Sequence, residues 1–196
     1  MIQNLAKIYR LEKIEKIYIV NDTAVSLFPE SNDSQKIIFN YYKTIKLTSI
    51  FGVLEVIPSM VNFLIIFDNQ ITNLNDLMLS LKKLKFQKLH IIQKEQNYEY
   101  EIPICYEESF NKDLIFLSKK LELNIEEIIN LHLSKKYKIS MMGFLAGLPF
   151  MGKLPNELVL ERRQNPRKIV NAGSVGIAIG QCVIYPQDSP GGWHII

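Results

Sequence analysis

The chain has 196 residues, enough for one large domain or two small ones, and 47% hydrophobic with 22% charged residues is an ordinary globular composition. A net charge of +3, with lysines interspersed among acids rather than gathered into a stripe, excludes a nucleic-acid binder. The longest unbroken apolar run, residues 63–67, is far below the ~20 residues that span a bilayer, and the charged N-terminus has no signal-peptide core. No membrane association and a cytoplasmic location are therefore expected.

In chain order, residues 16–21 (KIYIVN) and 23–28 (TAVSLF) are short β-type runs. From Ser31 the spacing changes: Ile37, Ile38, Tyr41, Tyr42 and Ile45 recur at helical intervals, with Ser31 or Ser34 as the cap. Residues 50–57 and 61–67 are two apolar strands, the second apolar enough to be covered on both faces. Residues 72–86 return to helical periodicity through Leu74, Leu77, Met78, Leu81 and Leu84. This order predicts a small α+β sandwich, with helices on one face of a mostly antiparallel sheet.

Residues 93–98 (QKEQNY) are polar and read as a linker, dividing the chain into domains 1–94 and 95–196. Residues 101–106 (EIPICY) read as an edge strand, because Pro103 donates no N–H. Two helices follow. One starts at Asn111 or Asp113 and runs to about Leu121; the other is capped by Asn124, with Glu126 and Glu127 in its first turn. Residues 136–142 are strand-like. Eight of the nine glycines lie beyond residue 142, so the last quarter is built from tight turns and short strands, a pattern that suits a barrel.

Cys105 and Cys182 form no CxxC pair and no metal-ligand spacing with His90, His132 or His194. No metal site is expected, and both cysteines are expected as buried, reduced thiols. Gly147 to Lys153 matches GxxxxGK, but Leu154 stands where a phosphate-binding loop needs Ser or Thr, and Pro149 removes a loop donor. Gly173, Gly176 and Gly180 make no GxGxxG, and Ser174 misses the nucleophile-elbow spacing. Arg162, Arg163, Arg167 and Lys168 form a dense cationic cluster, suited to clamping a carboxylate, phosphate or carbonyl oxygen. His132 stands near the end of the second helix, where a lone histidine ordinarily serves the terminal carbonyls; His90 and His194 read as incidental.

The run GFLAGLPFMGKLP, then ERRQNPRKIVNAGSVGIAIGQCVIYPQDSPGGW, resembles the family of 5-oxoprolinase B-type subunits, also called allophanate hydrolase subunit 1 or KipI-type. EIPICY and EEIINLHLSKKY fit the same family upstream. The resemblance implies an N-terminal α+β domain followed by a cyclophilin-like β-barrel. It further implies a heteromer in which this chain acts with the C-type and A-type subunits of 5-oxoprolinase to open 5-oxo-L-proline to L-glutamate using ATP and Mg²⁺. This chain, lacking a nucleotide motif, would contribute binding surface. By matching position, His132, Arg163 and Arg167 are the implied catalytic residues, and Arg162, Ser174, Gln181 and Tyr185 the implied substrate-binding ones. Gly147, Pro149, Gly173, Gly176, Gly180, Ser189, Pro190, Gly191, Gly192 and Trp193 fall on the family's structural motifs.

Ala146, Lys153, Asn171, Ile179, Cys182 and Val183 depart from the family pattern. The family continues beyond SPGGW with further strands, so a barrel lacking its closing strands is expected. The resemblance also admits a different function, that of a KipI-type inhibitor binding a sporulation histidine kinase. Peptidyl-prolyl isomerase activity rests on fold analogy alone.

Overall fold

The computed structural model describes residues 5–30, 34–84 and 98–196. His90, most of the linker segment and the end of the helix predicted to Phe86 lie outside the described residues. The chain divides into two compact units, Met1–Asn97 and Tyr98–Ile196.

The first unit runs α1 (Leu5–Tyr9), β1 (Ile14–Asn21), β2 (Ala24–Pro29), α2 (Ser34–Thr48), β3 (Val53–Pro58), β4 (Phe63–Phe67) and α3 (Leu74–Lys82). Its four strands form an antiparallel sheet of order β1-β2-β4-β3. Strand periodicity decides the core. Val25, Leu27, Phe63, Ile65 and Phe67 turn to one face and bury against Ile38, Tyr41 and Ile45 of α2 and Leu77, Met78 and Leu81 of α3. Leu64 and Ile66 turn to the opposite face and are only half-buried, so β4 is fully covered on one face rather than both. The Tyr41 ring stacks on Phe63 at 5.0 Å, and its hydroxyl donates to the Glu12 carbonyl at 2.7 Å, which satisfies a buried polar group. Asn73 caps α3 by accepting from the Asp76 N–H.

In the second unit α4 (Leu114–Leu121) and α5 (Ile125–Leu133) precede β5 (Lys138–Met142), β6 (Pro149–Gly152), β7 (Arg167–Val170), β8 (Val175–Ala178), β9 (Gln181–Ile184), β10 (Ser189–Gly191) and β11 (His194–Ile195). Asn124 and Glu127 form a reciprocal capping box that starts α5. Among the described residues the segment expected as an edge strand around Pro103 has no ladder partner. It is extended chain, with Ile104 and Tyr106 turned onto the core while Ile102 and Cys105 face solvent. Cys105 is therefore exposed, contrary to expectation; Cys182 is buried, and both are free thiols.

The strands make a five-stranded antiparallel sheet, β11-β8-β9-β6-β5, and a separate pair, β10-β7. Among the described residues no ladder joins β5 to β11, so these strands form an open sheet rather than a closed barrel. β11 pairs with β8 on one side only, and Asp113 occupies its other edge: the Asp113 N–H donates to the Ile195 carbonyl, and the Ile195 N–H donates to the Asp113 carboxylate. Both faces of this sheet are covered. Ile177, Cys182 and Met151 pack on Leu114, Leu117 and Ile128 of the two helices. On the reverse face Val183 and Ile195 pack with Leu148, Val170, Tyr185 and Trp193.

β8 and β9 join through a two-residue turn, Ile179–Gly180, with φ of +51° and +71°. Two positive φ values suit the right-handed twist of the hairpin and favour Asn-Gly or Gly-Gly. A β-branched residue is sterically strained there. Ile179 is 51% exposed, so little burial offsets that strain. Ile179→Asn is expected to raise unfolding stability by about 1 kcal/mol, read as a higher urea midpoint with an unchanged m-value; a lower midpoint would contradict the strain argument.

Candidate functional site

The second unit carries a pocket of about 280 Å³. Phe144, Phe150, Tyr185 and Trp193 supply aromatic walls, Arg162 the cationic group, and Gly191 and Gly192 part of the backbone lining. The glycines explain how the walls come so close. A Cβ on Gly191 would stand 2.5 Å from the Tyr185 hydroxyl, and one on Gly176 would stand 3.1 Å from the Trp193 Cβ. Phe150 meets Trp193 edge-on at 5.8 Å, and the Arg162 guanidinium lies 5.7 Å from the Trp193 ring centroid. Burial raises the Tyr185 pKa against the opposing pull of Arg162 and Arg167, so the phenol stays protonated at neutral pH.

Arg163 and Arg167 do something different from Arg162. Both guanidiniums close on Asp113: Arg163 Nη1 donates to Oδ1 at 2.7 Å, while Arg167 donates Nη1 to Oδ2 at 2.9 Å and Nη2 to Oδ1 at 2.7 Å. The Ile195 N–H adds a fourth donor at 2.7 Å. Burial alone would raise the Asp113 pKa, but the hydrogen bonds from Arg167 and Ile195 and the two guanidinium charges hold it below the ordinary carboxylate value. The carboxylate that these arginines were expected to clamp is thus the protein's own. Asp113 was legible only as a helix start, and its side chain makes no capping bond because the arginines take both oxygens.

His132 sits in a third place. It is 2% exposed, with Nδ1 at 2.7 Å from the Tyr106 hydroxyl, Nε2 at 3.5 Å from Cys182 Sγ, and its ring stacked on Tyr137 at 5.2 Å. The Tyr137 hydroxyl donates to the His132 carbonyl. Burial pushes the His132 pKa down to about 4 and the Cys182 thiol up to about 12, and burial with nearby Cys182 pushes Tyr106 up to about 12. The cluster is uncharged at neutral pH, and Cys182 is a thiol rather than a thiolate nucleophile. The structure therefore does not bring His132 together with Arg162: it does not line the pocket, and both ring nitrogens are engaged.

The remaining expected residues divide similarly. Tyr185, Pro190, Gly191, Gly192 and Trp193 line the pocket with Arg162. Gly173 and Ser174 form a turn pinned to the backbone of Tyr185, and Gln181 begins β9. Gly180 belongs to the β8–β9 turn, Gly176 to β8 and Ser189 to β10. Gly147 and Pro149 belong to the β5–β6 hairpin, so the GxxxxGK match runs through a turn and a strand rather than into a helix. A nucleotide's phosphates need loop donors before a helix N-terminus, and these residues do not fit them. Among the described residues no three His, Cys, Asp or Glu side chains gather to hold a metal ion. Phe144 and Phe150 escaped notice because an aromatic in a short strand carries no signal of which face it lines.

A family model described as "Carboxyltransferase domain, subdomain C and D" matches residues 16–196, and the chain belongs to that family. A protein from Escherichia coli named as the B subunit of 5-oxoprolinase is 33% identical over 92% of this chain and 83% of its own length. Proteins of the same name from Haemophilus influenzae and Bacillus subtilis are 38% and 42% identical, over 74% and 49% of this chain and 66% and 40% of their own lengths. The family expected from the C-terminal motifs is thereby shown. A crystal structure of a protein named TTHA0988 superposes with a TM-score of 0.73 at 27% identity, covering 88% of this chain and 33% of that one. The Kluyveromyces lactis urea carboxylase shares the fold at a TM-score of 0.69 and 15% identity, over 93% of this chain and 18% of that one.

Two outcomes follow from the geometry. Asp113→Ala leaves two guanidiniums facing a void and frees the β11 edge, and is expected to cost about 3–5 kcal/mol. Urea denaturation checks this, and a loss below about 1 kcal/mol would show the network to be dispensable. His132 takes up a proton near pH 6.5 when unfolded but only near pH 4 when folded, so stability is full above 6.5 and declines as pH falls towards 4. The decline is expected to be about 3 kcal/mol, and His132→Gln should remove that share of the slope in thermal melts between pH 7 and 4.5.

Proposed function

We propose that this chain is the B-type subunit of an ATP-dependent 5-oxoprolinase, acting with A- and C-type subunits to open 5-oxo-L-proline to L-glutamate. The observation that carries this reading is the Arg162–Tyr185–Trp193 pocket. It is built from the same C-terminal motifs that resemble the family, in a chain whose relatives are named as B subunits of 5-oxoprolinase. We further propose that domains 1–94 and 95–196 act as separate functional modules, the second cyclophilin-like in its strand arrangement.

The chemistry to be served is the hydrolysis of a resonance-stabilised lactam. ATP would supply the driving force by activating the carbonyl oxygen; no part of that transfer is assigned to residues of this chain. What this chain offers is positioning. The Arg162 guanidinium presents paired donors to a carboxylate, and the aromatic walls exclude water from the ring, so that the reacting bond is held in one orientation. The Asp113–Arg163–Arg167 network holds the pocket backbone without touching substrate.

Glutamate release from 5-oxoproline and ATP, with this chain mixed with A- and C-type subunits, tests the reading. Turnover is expected, and Arg162→Ala should lower kcat/KM by about 10- to 100-fold through loss of a charge-assisted pair, while leaving thermal stability within about 1 kcal/mol. No glutamate with any combination of partners overturns the proposal.

A further inference from the structure

We infer that the outer face of the first unit's sheet, turned away from α2 and α3, docks on the same face of a second copy of this chain. The result is a weak, reversible two-fold dimer. The inference uses only the first unit and stands whether or not the chain opens 5-oxoproline.

Its starting point is a sheet face that ought to be polar and is not. An antiparallel sheet covered on one side alternates apolar with polar residues, the polar ones turned to water. Here Tyr18, Ser26, Leu64 and Ile57 lie in register across all four strands, and Ala24, Ile66 and Glu55 across three. The Phe28 ring joins them, meeting Tyr18 edge-on at 5.3 Å. Tyr18 and Ile57 are 44% and 41% exposed, and Phe28, Leu64 and Ile66 are half-buried. β4 has the composition of a strand covered on both faces, and α2 and α3 cover one. Ser26, the polar residue in the middle of the longest row, accepts from Asn62 Nδ2 at 2.7 Å. The centre of the face can therefore go dry without leaving that hydroxyl unpaired.

Charge selects the occupant. The ionic side chains of these rows have opposite signs and stand at opposite corners. Lys16 pairs with Phe28 at one end of edge strand β1, and Glu55 pairs with Ile66 at the other end of the sheet, on edge strand β3. A face with a net charge would call for a partner of the other sign; this one is neutral and complementary to itself. A two-fold axis along the other diagonal puts each Lys16 opposite the partner's Glu55 and lays Ser26 and Leu64 of one copy over those of the other. The two sheets then cross near a right angle, one of the two ways in which sheets stack. Four strands about 4.8 Å apart, each about six residues long at about 3.3 Å per residue, outline roughly 400 Å² per copy. About 800 Å² in total suits a reversible association rather than a permanent one.

Sedimentation equilibrium of the full chain, between about 5 and 500 µM, reads the association. A dimer with Kd of about 10–100 µM is expected. Each charge reversal occurs twice in a two-fold dimer, so Lys16→Glu and Glu55→Lys should each weaken it at least about tenfold. The double variant K16E/E55K should return Kd to within about threefold of the starting value. Ile57→Lys, which sets a charge in the longest row, should abolish the dimer over that range. All three positions are exposed, and far-UV circular dichroism with thermal melts confirms that the variants are folded. A chain that stays monomeric throughout, a dimer indifferent to these substitutions, or a double variant as weak as the singles overturns the inference. Assembly that appears only when another protein is added gives the face to that partner, and overturns it equally.

Discussion

The buried carboxylate of Asp113 is the constraint on which the second unit depends. It meets two guanidiniums and the Ile195 N–H, and its own backbone N–H meets the Ile195 carbonyl. A carboxylate taken out of water is costly unless every lone pair is used, and here both oxygens accept two donors each. The arrangement also solves a topological problem. β11 is the last strand of its sheet, and an unpaired edge invites association with another chain. A side chain and backbone at the start of α4 fill that edge in place of a strand.

The same contact reaches the pocket through the backbone. Arg163 is held by its side chain on Asp113, and its own N–H donates to the Gly192 carbonyl at 2.8 Å. Arg167 is held in the same way and pairs in register with Gly191 across β7 and β10. The two glycines that give the cavity its backbone wall are therefore fixed by residues whose positions Asp113 sets. Arginines in one short stretch divide their labour: two turn inward to support the wall, and the third turns outward over Trp193. Charge pattern could show that cations cluster there. It could not show which of them already had an internal partner.

That difference marks how much was legible. Runs of β-type and apolar residues found the four strands of the first unit and period-3.6 patterning found α2 and α3, whereas the short α1 was missed. The Asn124 cap, with Glu126 and Glu127 in the first turn, was legible because its chemistry is local, and the structure adds that Glu127 reciprocates in a capping box. Long-range pairings were not. Asp113 lies 50 residues from Arg163 and 82 from Ile195 in sequence, and a lone Asp before a helix looks like any N-cap. EIPICY has strand composition, yet a strand also needs a neighbour, and composition does not say whether one is available. His132 was marked by motif as functional, whereas the fold surrounds it with Tyr106, Tyr137 and Cys182 and so makes it a neutral core group.

The separation of His132 from Arg162 bears on mechanism. A general acid or base works when its pKa lies near the operating pH and when it can reach the reacting proton. His132 meets neither condition, since burial holds it near pKa 4 and both nitrogens are engaged inside the core. Tyr185 lines the pocket but is kept protonated, so it can donate a hydrogen bond and cannot act as a base at neutral pH. The lining residues thus offer donors, apolar walls and a fixed positive charge, and no proton acceptor suited to activating water. A surface of that kind can hold an anionic ring and stabilise charge that develops on it. Under the proposed reading, orientation falls to these lining residues and proton transfer to groups outside the lining.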